Sequence, residues 1–348
     1  MLPSGVFNRN PQQDMAIVRT KTQWLLLAAG VVFLFTMVLW VPMDWKSWLI
    51  TTGIYVVAVL GLHITTGLCG QFAMGHAGFM AVGGYTTAVL VEKLGWSPWI
   101  TLPLSGLTAG LIGLVFGIPA LRIKGFYLVM ATIAAQFVIL FAIKQPSWAG
   151  QGYGMSVAQV TVGGSALSQF QFWWLTLAII LAAVFFAKNI QRTSPGRQMI
   201  AVRDNDLAAE VMGINLFRTK LLAFFLGCFY AGIAGWLMAH NVRYVHPEMF
   251  SFALSLSMLG MVIVGGLGST SGAVLGAVAM SLVQKLVANF TPEVSKLLPS
   301  AYATSVGPAL QLIVFGLVVM AFLLIEPRGI QHRVEKIKLY YRLRPFSY

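Results

Sequence analysis

The chain has 348 residues, of which 58% are hydrophobic and 9% charged, too few charges to coat a soluble domain of this size, where about 25% is usual. A mean hydropathy of +0.79 places it among polytopic, all-α membrane proteins. Its formal charge of +13 comes from basic residues scattered between apolar runs; this excludes a nucleic-acid-binding domain and fits membrane orientation, since Lys and Arg are retained on the cytoplasmic side.

A spanning helix needs about 20 mostly apolar residues. Residues 1–23 are polar and mixed and form a cytoplasmic segment. The run 24–41 ends in Trp40-Val41-Pro42 rather than in small residues, so it is an uncleaved first span and not a signal peptide. Further spans are expected at 48–66, 73–91, 99–121, 125–143, 172–188, 221–240, 252–268, 272–288 and 308–325. The third and ninth begin in glycine clusters and are candidates for broken or re-entrant helices.

With the N-terminus inside, these ten spans place 17 basic residues on the inner side and six on the outer side, so both termini are expected in the cytoplasm. Division at the central loop into five and five makes the second half run opposite to the first, as in inverted-repeat transporters. The organisation is then a first half over 24–187, holding an outer loop at 144–171 and the sixth span, a central loop at 188–220, a second half over 221–325, and a basic cytoplasmic tail over 326–348. Small residues recur at four-residue spacing in Gly106/Gly110, Gly113/Gly117, Gly272/Gly276 and Gly227/Ala231/Gly235/Ala239, a pattern that lets helices approach closely in lipid. Cys69 and Cys228 stand in apolar surroundings and read as packing.

The central loop, 188–220, carries six of the 23 basic residues. A short helix is expected in it, with Asp206 as N-cap and Gly213 as its left-handed stop. Leu207, Val211 and Ile214 fall at i, i+4 and i+7, with Ala208 and Met212 beside them. That is an apolar stripe in a segment that should be in water. Two explanations stand: it lies against the ends of its own membrane helices, or it enters a groove on a partner protein.

There is no GxxxxGK[ST] phosphate loop. All ten acidic residues fall in loops or at span ends, so no carboxylate relay crosses the membrane, and uphill transport would need energy from another subunit. His63, inside the second span, reads as a hydrogen bond between helices. His76 lies in the glycine-rich stretch 67–78 with Gln71, an irregular segment tolerated at membrane depth only when buried in protein or lining a wet path; both readings stay open there. The polar stretch 265–272 is a turn or a pathway element. The outer loop 144–171 is a solvated connector by composition, long enough to cover an outer mouth or meet an external partner. No nucleophile–base–acid set is evident, so the chain is not read as an enzyme. A self-sufficient secondary transporter or channel, using His76 or His63 as coupling group, is the alternative to a subunit of a larger machine.

Four motifs in order carry a resemblance. They are Gly70-Gln71 through Gly75-His76-Ala77 with Gly84-Tyr85-Thr86; residues 119–128, Pro-Ala-Leu-Arg-Ile-Lys-Gly-Phe-Tyr-Leu; Gly196-Arg197, Arg203-Asp204 and residues 208–214; and Gly265-Gly266-Leu267-Gly268-Ser269. The chain resembles the larger of the two paired permease subunits of ATP-binding-cassette importers for branched-chain amino acids. The resemblance implies a multi-pass protein of the bacterial inner membrane that forms the path for branched-chain amino acids or a related small polar solute; importers for urea, short amides and aromatic acids are similar.

It further implies that Arg197, Arg203, Asp206, Leu207, Ala209, Glu210, Val211, Gly213 and Ile214 couple to a cytoplasmic ATPase, with Glu210 and Arg203 at the contact. Gln71, Gly75, His76, Tyr85, Ser269 and Thr270 would line the translocation path. ATP and Mg would be bound by the ATP-binding subunits and no cofactor or metal by this chain. The other implied partners are a second homologous permease, a periplasmic substrate-binding protein and the lipid bilayer, with no nucleic acid. Three features depart from the family pattern: the outer loop lacks a Thr-Gly-Gly, Cys69 replaces Ala, and Ala273 follows Gly272 where Pro is common.

Overall fold

The computed structural model describes residues 21–120, 125–162, 165–296 and 303–343. Four long helices alternate with short breaks at Pro and Gly: α1 (Lys21–Trp40), α2 (Met43–Leu62), α3 (His76–Glu92) and α4 (Pro98–Ala120). Pro42 separates the first two, and α2 continues into a π-helical turn, His63–Leu68. Then come α5 (Phe126–Lys144) and α6 (Gln169–Ile190), two short helices α7 (Ser194–Asp204) and α8 (Asp206–Val211), the long α9 (Leu216–Val242), α10 (Phe252–Gly265), α11 (Thr270–Lys296), α12 (Ala303–Ile325) and α13 (Ile330–Leu343).

Among the described residues, seven stretches are long and apolar enough to cross a bilayer: Met43–Leu68, Pro98–Pro119, Phe126–Lys144, Gln169–Ile190, Leu216–Val242, Pro247–Gly265 and Thr270–Glu293. An eighth is counted if α12 and α13, bent by 44°, are one broken span. The protein is therefore a polytopic helical membrane protein. The first and third expected spans coincide with α1 and α3, which fall short of that standard: only Ala28–Trp40 of α1 is an apolar helix, and α3 has 17 residues. Six of the ten expected spans precede the central loop and four follow it, so a division into five and five falls between α5 and α6 and not at 188–220. Residues 1–20 of the N-terminal segment, Arg122 and Lys124 of the second motif, and the tail beyond 343 lie outside the described residues.

The core forms around α9. Its small residues let α3 and α4 close on it from two sides, as their spacing predicts. A Cβ on Gly235 would strike the Met80 carbonyl of α3, and one on Gly232 the Ser105 carbonyl of α4. Where α9 does carry bulk, its partner is small: Phe229 and Phe225 cover Gly106 and Gly110, and Cys228 covers Gly113. Two buried polar groups of α9 are tied off, as low-dielectric surroundings favour. Trp236 Nε1 donates to Thr101 Oγ1 at 2.9 Å, and the Tyr230 hydroxyl donates to the Ala183 carbonyl at 2.9 Å. Cys69 and Cys228 are both free and buried.

Residues 188–220 define one face of the bundle, here the loop face. Loop 144–171 lies on the far face, where it is more than a solvated connector. Its strand β1 (Met155–Ser156) pairs antiparallel with β4 (Tyr244–Val245) just after α9, while β2 (Thr161–Val162) and β3 (Ser165–Ala166) pair with each other. The loop ends in a capping box in which Ser168 accepts from Gln171 N and Gln171 accepts from Ser168 N, starting α6.

Candidate functional site: a loop-face platform beside two helix breaks

Thr193 starts α7 by accepting from Gly196 N, with Pro195 in the first turn, where its missing N–H costs nothing. The sequence signal for this helix was present in Thr-Ser-Pro and was missed. Asn205 ends α7 and caps α8, its Oδ1 accepting from Ala208 N at 3.0 Å. The cap is therefore Asn205 and not Asp206. Asp206 opens the first turn of α8 and takes Lys220 Nζ at 2.7 Å, which fastens α8 to the start of α9. Gly213, at φ +82°, turns the chain after α8 as expected. Asn215 then caps α9 through Arg218 N.

Because α8 stops at Val211, the expected stripe divides. Ile214 lies beyond the helix and packs toward the core with buried Ala209. Leu207, Val211 and Met212 are 69, 87 and 81% exposed. The packing of the stripe on its own membrane helices is thus overturned for those three side chains. Glu210, on the same short helix, is exposed, as is Arg197 of α7, whose Nη1 donates to the Arg192 carbonyl.

Arg203 points inward. Its Nη1 donates to the Gly67 carbonyl in the π-helical turn at 2.9 Å, and Nε and Nη2 donate to Asp204 Oδ1 at 2.9 and 2.8 Å. Gly70, at φ +71°, lies against the stem of Arg203, where a Cβ would come within 3.1 Å of Cγ. Arg203, expected at an external contact, is thus also tied to its own membrane helices, where it braces the first helix break.

That break comprises the π-helical turn and the irregular residues 69–75 that follow it. Gln71 N donates to the Thr65 carbonyl, and Thr66 Oγ1 donates to the Gln71 carbonyl. The free amides at the start of α3 are met by side chains from two other helices. Thr132 Oγ1 of α5 accepts from Met74 N at 3.0 Å, and Ser255 Oγ of α10 accepts from Ala77 N at 2.8 Å. Ser255 in turn donates to Gln136 Oε1, and Gln136 Nε2 donates to the Phe250 carbonyl. Thr132, Gln136 and Ser255 were not singled out from sequence, although a Gln in the middle of the apolar run 125–143 is the signal that could have found them.

His76 is buried and its Nε2 bonds the Ala58 carbonyl of α2 at 3.0 Å. Its ring joins two helices. His63 Nε2 likewise pairs with Gln191 Nε2 at 3.1 Å. Gly75 abuts the Thr132 carbonyl. Gln71 is buried with neither amide atom hydrogen-bonded, and Thr270 Oγ1 is buried in the same condition.

The second break, 266–269, adjoins the first: a Cβ on Gly67 would strike the Leu267 carbonyl. Ser269 Oγ meets Ser271 Oγ at 2.7 Å, and Ser271 donates to Gln331 of α13. Gln71, Gly75, His76, Ser269 and Thr270 are thus gathered around two adjoining breaks. Tyr85 is not, since its hydroxyl is directed to the Val245 carbonyl by the far-face strands. Among the described residues no group of three or more His, Cys, Asp or Glu is placed to hold a metal ion.

Residues 46–323 match the family described as branched-chain amino acid transport system / permease component. The chain is 30% identical over 265 residues to the high-affinity branched-chain amino acid transport system permease protein LivM of Salmonella typhimurium, an alignment covering 69% of this chain and 62% of that protein. It is 27% identical over 298 residues to the probable branched-chain amino acid transport permease protein LivH of Methanocaldococcus jannaschii, covering 81% and 90% of the two chains. It is 24% identical over 330 residues to the L-arabinose transport system permease protein AraH of Escherichia coli, covering 91% and 94%. The match thus spans less than two thirds of LivM. No solved structure matches the chain.

Proposed function

This chain belongs to the branched-chain amino acid transport permease family, a family of transport permeases, and we propose that it is one of two homologous membrane subunits of an ATP-driven importer. It forms part of the path for a branched-chain amino acid or a related small polar solute. Ten spans cross the bacterial inner membrane with both termini and residues 188–220 in the cytoplasm, and the two sets of five run in opposite directions. ATP and Mg are bound by separate cytoplasmic subunits, and a periplasmic binding protein delivers the solute to the far face.

The observation that carries this reading is the uncovered ridge of Leu207, Val211 and Met212 on a short helix held in place by an Asn cap and the Asp206–Lys220 ion pair. Three adjacent large apolar side chains exposed on an otherwise polar loop mark a protein contact. A groove on the ATPase receives them. Glu210 borders the contact, while Arg203 and Asp206 act from behind as braces. A self-sufficient transporter would need an ionisable group free to couple, whereas His76 and His63 are each held by a partner on another element.

The test is reconstitution in proteoliposomes with the second permease, the ATP-binding subunits and the binding protein. Uptake should require every component and ATP. Uptake by this chain alone would overturn the proposal.

A further inference from the structure

We propose that α13 is a membrane-surface helix whose outward side binds anionic phospholipid headgroups through Arg328 and Lys336, and that this contact steadies the second helix break. The segment starts where α12 leaves the hydrocarbon. Leu324 and Ile325, at the end of α12, are exposed, as lipid-facing side chains are. Pro327 and then Gly329, at φ +78°, stop that helix and turn the chain, with Gly329 N donating to the Glu326 carbonyl at 2.9 Å. Residues 328–344 then carry six Lys and Arg against one acidic residue, Glu335. A cluster of about four to eight basic residues directly after a span is the composition that binds anionic lipid.

The sides of α13 differ. Gln331 faces the bundle, accepting from Ser271 Oγ at 3.0 Å and donating to Glu335 Oε1 at 3.1 Å, and Ile330 packs toward the core. Ile330, Val334 and Ile337 form a stripe at i, i+4 and i+7, with Arg333, Lys336 and Tyr340 along its flank. On that side Ile337 and Tyr340 are 56 and 57% exposed. A cavity of about 370 Å³, walled by Phe322, Ile325, Ile330 and Arg333, separates it from α12, so this side overlooks the lipid-facing end of α12. Arg333 is committed to an ion pair with Glu326 that ties the two helices. Arg328 and Lys336 are exposed and enter no ion pair among the described residues. They are the charges left for a ligand.

The bend between the helices is 44°. With α12 upright it lifts Ile337 only about 8 Å above the start of α13, comparable with the headgroup layer and within the screening length of about 8 Å. An exposed apolar row beside unpaired basic charges, at the edge of the hydrocarbon, is the anchor set of an interfacial helix. A protein groove would suit the row too, but it would have to displace the lipid that the same side overlooks. At its start, α13 bears on the second break: a Cβ on Gly329 would strike Gly266 N, and Gln331 holds Ser271.

The test uses the purified full chain, in nanodiscs of phosphatidylcholine alone or with one third phosphatidylglycerol, followed by amide hydrogen exchange. Amides of 330–340 should exchange about twentyfold more slowly with phosphatidylglycerol, and those of 265–272 more slowly as well. About 1 M salt, where the screening length is about 3 Å, should remove the difference. Arg328→Gln and Lys336→Gln should each cut the protection by about fivefold, the equivalent of the ~1 kcal/mol that a basic residue contributes at an anionic surface, and the double variant should abolish it.

Exchange indifferent to phosphatidylglycerol, or full protection in the double variant, would overturn the site. So would protection that appears only when ATP-binding subunits are added, because that side would then belong to a protein. Protection of 330–340 with 265–272 unchanged would overturn the link to the break. None of this rests on the importer reading, and uptake by the chain alone would leave the lipid site standing.

Discussion

Arg203→Ala gives the sharpest test of how the loop face is joined to the membrane helices. The substitution removes a hydrogen bond from a charged donor to the Gly67 carbonyl, worth about 1.5–3 kcal/mol. The accompanying ion pair with Asp204 is 33 and 62% exposed on its two sides, so it adds about 0–1 kcal/mol at most. A net loss of about 2 kcal/mol corresponds to about thirtyfold in the equilibrium between docked and undocked α7. In the reconstituted importer, solute uptake should fall by ten- to thirtyfold while ATP hydrolysis continues, because the proposed ATPase contact on α8 is untouched. Hydrogen exchange of the amides in 64–71 should accelerate by a similar factor. Arg203→Lys, which keeps one charged donor but loses the fork geometry, should recover part of the uptake. Wild-type uptake with Arg203→Ala would refute the brace.

Val211→Asp and Glu210→Lys should leave membrane insertion unchanged and weaken capture of the ATP-binding subunits, Val211→Asp by about 2 kcal/mol if Val211 is a central anchor; co-purification yield reads this directly. Gly235→Val puts branched bulk against the Met80 carbonyl and the Gly84 amide and should destabilise the bundle by more than about 1–3 kcal/mol, visible as loss of monodisperse protein. Gly30→Val, with nothing within 4 Å of its Cβ position, serves as its control. Gln136→Leu leaves Ser255 without its acceptor and the Phe250 carbonyl without its donor. It should lower thermal stability by about 1–3 kcal/mol, and an unchanged melting curve would show that α3 does not depend on that network.

The helices themselves were legible because each apolar run is bounded by residues that stop helices for a stated reason: Pro42 and Pro98 at starts, Gly125 and Gly213 at turns. What one-dimensional reading missed is what depends on a partner from elsewhere in the chain. Asn205 and Asp206 are equally good caps by type, and the choice between them is made by Lys220, which claims the Asp206 carboxylate. Ile214 fits the i+7 position of a stripe, yet Gly213 ends the helix before the pattern reaches it. The direction of Arg203 depends on a carbonyl 136 residues away. In the same way, Thr132 and Ser255 acquire meaning only when α5 and α10 bring them to the open start of α3. Tyr85 shares a motif with His76, but nine residues along α3 carry it toward the other face of the bundle.

The placement of carboxylates decides where energy can enter. Among the described residues, Asp44 lies in the first turn of α2, Glu92 ends α3, and Glu326 follows α12 where Arg333 pairs with it. Asp204, Asp206 and Glu210 stand on the loop face. A charge at mid-membrane would cost about 2.5–3.5 kcal/mol, and none of these groups bears that cost. The bundle instead has two adjoining breaks that share a brace. Arg203 bonds Gly67 in the first and reaches within 4.0 Å of the Cβ position of Gly268 in the second. Gly266 of the second break also packs on Gly329 at the start of α13. A displacement of α7 by the partner proposed to seat on α8 would therefore act on both breaks together. Elements that move as one can open one end of a path while closing the other, and independent ones would open a leak.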